Sequence, residues 1–240
     1  GLLQIGNNTA VGSIAGNITN NAALAWYRTD TPTYAGILSG AGALTNRAGT
    51  LTLSGHSPLS GATVVTGAST LVVSGSLSNS AVTVATNATL KSSSRVGNLT
   101  ITGGTVDPTN ATAVATNLTC GTLALNPGGK MRVDVNAAAG TAGTTWDLLT
   151  ATGAITANAS GLFTLNLYGT PAGFDSTAGY SWKIMGGTSV ASFDAGRFAV
   201  NTNNFLAAQN GGSFSVANTG SAGTGIYLVF TPRTPAAPAA

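Results

Sequence analysis

Residues 39–75 read SGAGALTNRAGTLTLSGHSPLSGATVVTGASTLVVSG, and within them GTLTLSG (49–55) and STLVVSG (69–75) are two copies of one pattern: a small residue, threonine, alternating apolar residues, then Ser-Gly. Reading outward, the pattern recurs as NATLKSS (87–93), GTVDPTN (104–110) and GTLALNP (121–127), which places Thr50, Thr70, Thr89, Thr105 and Thr122 in equivalent positions at intervals of 20, 19, 16 and 17 residues. A second strand-like segment precedes each copy: ALTN (43–46), ATVV (62–65), AVTV (81–84), NLTI (98–101) and NLTC (117–120). GLLQIGN at the start and NITNNAALAW (17–26) are diverged earlier copies.

Each repeat therefore carries two short strands rich in Val, Leu, Ile and Thr, bounded by Gly, Asn and Ser. Alternation in Leu51-Thr52-Leu53 and Leu99-Thr100-Ile101-Thr102 turns apolar residues inward and threonines outward. A unit of 16 to 20 residues cannot bury its own apolar face, so successive copies must stack and share a core. The expected fold is all-β: a parallel β-helix, or β-solenoid, over residues 1–129. Glycine fits its corners, where φ is often positive, and Asn46, Asn79 and Asn87 are the next best corner residues. A two-sheet β-sandwich would accommodate the same strand lengths but explains the unequal inserts less well.

From residue 130 to about 230 the repeat blurs into irregular turns and a cap. Strand candidates continue as MRVDVN (131–136), TWDLLTA (145–151), LFTLNLYG (162–169), YSWKIMGG (180–187), RFAVNT (197–202), SFSVAN (213–218) and GIYLVFTP (225–232), and 12 of the 15 aromatic residues lie here. NFLAAQN (204–210) is a candidate helical turn, and TPRTPAAPAA (231–240) reads as an extended Pro/Ala tail.

Composition narrows the function classes. Of 240 residues 6% are charged, glutamate is absent, the net charge is +3, and mean hydropathy is +0.27. With no Lys/Arg cluster the basic pI is no nucleic-acid footprint, and no apolar run approaches a membrane span. Asp30, Asp107, Asp134, Asp147, Asp175 and Asp194 are scattered singly, which argues against a carboxylate pair or an acidic metal cage. Asp107 beside Pro108, and Asp134 near Lys130 and Arg132, read as turn and surface charges. Cys120 is alone and reads as a small buried apolar side chain. His56, the single imidazole, has serines beside it but no positioned acid and reads as a turn residue. Outward threonine pairs reflect strand propensity better than an ice-binding lattice, because the repeat spacing drifts. The sequons at Asn7, Asn17, Asn87, Asn98, Asn110, Asn117 and Asn158 follow from an Asn/Thr-rich composition. No catalytic, cofactor or metal residue is assigned.

The stretch 39–75 resembles the autotransporter-associated β-strand repeat of large secreted bacterial proteins. The matching residues are Leu44-Thr45, Gly49 to Gly55, Ser60-Gly61, Thr63-Val64 and Leu71, while His56 and Leu59 depart from the usual Asn and Tyr. The resemblance implies a right-handed parallel β-helix, exported and displayed or released, with scaffold repeats and no catalytic residue. A chain that starts at Gly1 without a signal peptide then looks processed or trimmed. The expected role is an extracellular structural rod, stalk or filament subunit that associates with itself end to end. Gly1, Leu2, Leu3, Gln4 and Ile5 would add a strand to the next subunit, since no charge, proline or cap blocks that end. The alternative is an adhesin or carbohydrate-binding module in which Trp146 and Trp182 stack on surface glycans, and a glycan-degrading β-helix enzyme stands third.

Overall fold

The computed structural model describes residues 1–109, 115–157, 160–218 and 224–234. The chain winds as a parallel β-helix with three faces. The first face stacks nine strands in chain order: Leu2–Thr9, Ala23–Arg28, Ala43–Ala48, Thr63–Val65, Val82–Val84, Leu99–Ile101, Leu123–Leu125, Ile155–Ala157 and Val190–Ala191. The second stacks eight, from Thr33–Tyr34 through Thr50–Leu53, Thr70–Val73, Thr89–Ser92, Thr105–Asp107, Lys130–Asp134 and Phe163–Gly169 to Phe198–Phe205. The third runs from Ser76–Leu77 through Arg95–Val96, Asn117–Cys120 and Leu148–Ala151 to Tyr180–Gly186, preceded in the early coils by the pair Ile18–Thr19 and Leu38–Ser39.

Register explains the core. On the second face Leu51, Leu71, Leu90, Val106, Met131 and Leu165 stack one per coil, and all six are buried. On the first face Val65, Val84, Ile101, Leu125 and Ala157 do the same. Each such side chain takes about 1.5–3 kcal/mol from leaving water, and no coil could collect this alone. Where coils approach most closely only glycine fits: a Cβ on Gly75 would run into the carbonyl oxygen of Gly55 one coil below. Asn87 takes φ +63° at its corner, as expected of asparagine.

Several expectations need correction. Most coils have three strands, not two, because two-residue strands such as Ser76–Leu77 close the triangle and are too short to leave a periodic signature. The threonine row does not continue to Thr122. Thr50, Thr70, Thr89 and Thr105 do stack, but Thr105 pairs with Lys130, and Lys130 with Thr164. Leu123–Leu125 lies instead on the first face, and NLTC (117–120) on the third, because the insert after Asp107 lengthens that coil and shifts the phase. Asn46 is no corner: it is fully buried in the strand Ala43–Ala48, and its Nδ2 donates to the Thr70 carbonyl at 2.9 Å. In NFLAAQN, Asn204 and Phe205 belong to the strand Phe198–Phe205, held there by pairing with Tyr168 and Gly169. Among the described residues the one turn of 3₁₀ helix comes earlier, at Ala195–Arg197, capped by Asp194.

All seven later strand candidates are strands. Beyond Tyr180–Gly186 the third face changes sense: Gly225–Thr231 pairs antiparallel with it, and Ser213–Ala217 pairs antiparallel with Gly225–Thr231. This hairpin brings Phe214 and Phe230 against Phe174, Phe205, Tyr180 and Trp182, with ring centroids 5.0–6.4 Å apart. The expected cap is thus an aromatic cluster under a hairpin. Residues 235–240 of the Pro/Ala tail, and the sequons at Asn110 and Asn158, lie outside the described residues.

Candidate functional site

Two places in the molecule carry chemistry that its stacking does not require. The first is the starting edge. Leu2–Thr9 pairs on one side only, with Leu2 opposite Ala23, Leu3 opposite Leu24 and Ile5 opposite Trp26. Leu3 continues the inward row of Leu24 and Leu44, which are both buried, yet it is 47% exposed, and Leu2 is 61% exposed. Gly1, Leu2, Leu3, Ile18 and Leu24 line an open hollow there. The apolar cross-section of the rod is therefore uncovered at this end and sealed by aromatic rings at the other.

The second place was not legible in the sequence. Asp107 and Asp134 sit near the ends of adjacent second-face strands, and Asp147 immediately precedes Leu148–Ala151. All three are buried, and one carboxylate oxygen from each lies within 4.8 Å of the others. This overturns the reading of Asp107 and Asp134 as surface charges and of the acids as isolated. The cause is the register shift described above. Once Lys130 is matched to Thr105, Lys91, Asp107 and Arg132 become successive rungs of one row, and the segment after Lys130–Asp134 returns to it, with the Asp147 N–H donating to the Asp134 carbonyl at 3.0 Å. Placing Thr122 in the row concealed the alignment.

The electrostatics divide the three acids. Arg132 grips Asp134 through two hydrogen bonds of 2.8 Å, Nε to Oδ2 and Nη2 to Oδ1, and lies 3.9 Å over the Tyr168 ring. Lys91 Nζ reaches Asp107 Oδ2 at 3.5 Å, while Asp107 Oδ1 is buried with no hydrogen-bond partner. Asp147 accepts from the Thr116 and Asp134 backbone N–H groups, each at 2.9 Å. Burial nonetheless dominates, pushing the Asp147 carboxyl up to about 8, with the neighbouring acids adding to the rise. Burial also raises Asp107, against the pull of Lys91 and Arg132. At about 8 the Asp147 carboxyl keeps its proton near neutral pH. Asp107, Asp134 and Asp147 are the residues whose oxygens could converge on a metal ion, but Lys91 and Arg132 already supply the countercharge, so the arrangement suits a held proton better than a divalent cation.

No protein-family model, no curated protein and no solved structure matches the chain. The site is read from its geometry.

Of the other residues singled out in the sequence, His56 makes an isolated bridge to Ser76 on the next coil, its Nδ1 3.2 Å from the Ser76 hydroxyl. Cys120 is buried in the third face, where burial pushes its thiol up to about 12 and leaves it unreactive. Trp146 and Trp182 are both buried, with indole N–H groups donating to the Lys183 and Ala138 carbonyls, each at 3.0 Å. Neither ring is open to a sugar. No helix among the described residues is long and apolar enough to cross a membrane.

Proposed function

We propose that this chain is a structural protein of the exported, surface-displayed kind, a β-helical rod that pairs with a second copy through the edge of its first coil. The observation that carries this reading is the inward row ending at Leu3, which is apolar, strand-paired on one side and half exposed. The start of this edge, where Leu2 and Leu3 are exposed and no charge or proline intervenes, is a template for another strand. Pairing across a two-fold axis through the first coil would use the same edge on both copies. Export rests on the resemblance of residues 39–75 to secreted β-strand repeats.

The test is sedimentation and electron microscopy of the chain beside a Leu2→Lys/Leu3→Lys variant. Paired rods in the parent and single rods in the variant, with unchanged circular dichroism, support the proposal. Single rods in the parent at micromolar concentration refute it, as does pairing that survives deletion of residues 1–8.

A further inference from the structure

We propose that Lys91 and Asp107 close a covalent amide between successive coils, formed within the folded chain with Asp147 as the proton-transferring acid. The two residues are direct register partners on adjacent parallel strands, Thr89–Ser92 and Thr105–Asp107, and the amine nitrogen already lies 3.5 Å from one carboxylate oxygen. A nucleophile and an electrophile tethered this closely react as one molecule, without the entropy cost of an encounter.

Three features beyond proximity favour the reaction. Asp107 is buried, so its ionised form is poorly solvated and its carboxyl is raised toward the neutral acid, the form that an amine attacks. Asp107 Oδ1 has no donor, although a carboxylate oxygen at that depth demands one. Asp147 places a carboxyl beside the pair: the Thr116 and Asp134 N–H groups hold its two oxygens, one each, and one of its oxygens lies within 4.8 Å of an Asp107 oxygen. The third acid does not compete, because Arg132 holds both oxygens of Asp134.

The balance is that of a condensation. The Lys91 ammonium gives a proton to the Asp107 carboxylate, and the freed lone pair attacks Cγ, forming the C–N bond. Asp147 then protonates the departing hydroxyl as the C–O bond breaks and recovers a proton from the nitrogen. The sum is ammonium plus carboxylate to amide plus one water, with Asp147 unchanged and no oxidant or reductant required. The bond would fasten one coil to the next in a chain whose single cysteine can form no internal disulfide.

Intact-mass spectrometry of the purified, folded chain decides the matter. The expected mass is one water below that of the sequence, with a branched peptide joining Lys91 to Asp107 after digestion. Lys91→Arg and Asp147→Asn, confirmed as folded by circular dichroism, should both return the full mass. The full sequence mass in the unmutated chain after prolonged incubation at neutral pH would overturn the proposal, and so would a water loss that persists in Lys91→Arg.

Discussion

Ser80 and Thr63 form a buried relay between neighbouring coils: the Ser80 hydroxyl donates to the Gly61 carbonyl at 2.6 Å, which leaves the Thr63 hydroxyl, 2.7 Å away, to donate to Ser80. Both residues are fully buried. Removing Ser80 strands two polar groups, whereas removing the Thr63 hydroxyl strands none that lacks another partner. Ser80→Ala should therefore cost about 1–3 kcal/mol. Thr63→Val, which places an apolar residue in line with Leu44 and Val82, should be near neutral. Urea midpoints of the two variants check the order, and equal losses would contradict it.

Raising the pH from acid to about 8 should loosen this rod. The Asp147 carboxyl stands at about 8 in the folded chain, above its ordinary value of 3.8, so between those limits the folded state holds a proton that the unfolded state has released. Stability then falls as pH rises through that window, by up to about 1.4 kcal/mol per pH unit for a single group. Denaturation at pH 5 and pH 8.5 measures the slope. In Asp147→Asn the slope should flatten, and an unchanged slope would place the proton elsewhere.

Gly75→Ala tests the closeness of the coils. The new methyl would meet the Gly55 carbonyl, a backbone atom that cannot swing aside. A loss of about 1–3 kcal/mol or more is expected, as for an overpacked core, with a lowered thermal midpoint as the readout.

Trp182→Ala separates scaffold from adhesin. The indole is buried, stacks on Tyr180 at 5.2 Å and donates to Ala138, so the variant should lose about 3–5 kcal/mol of stability. If sugar binding were lost with full stability retained, the ring would have a role that its burial does not suggest.

The repeat made the stacked fold legible because its cause is local: Leu51 and Leu90 alternate with polar neighbours, and Leu71 follows the same small-Thr-Leu pattern. What stayed hidden depends on register between coils. The third strand of each coil is too short to alternate, and the insert after Asp107 moves the threonine row from Thr122 to Lys130. Without that correction the acids of the site lie 27 and 13 residues apart in sequence, Asp107 to Asp134 and Asp134 to Asp147, with no motif to join them. The burial of Trp146 and Trp182 was hidden for a related reason, since only the returning hairpin and the loop through Ala138 show what covers them.

A column with an aromatic plug under a hairpin at one extremity and a bare coil at the other adds a difference in cohesion to the direction that its parallel strands already set. Fraying should begin at Leu2–Thr9, where the outermost layer has a neighbour on one side only, and advance toward the aromatic plug, which would act as the last anchor under tension and the first foothold for renaturation.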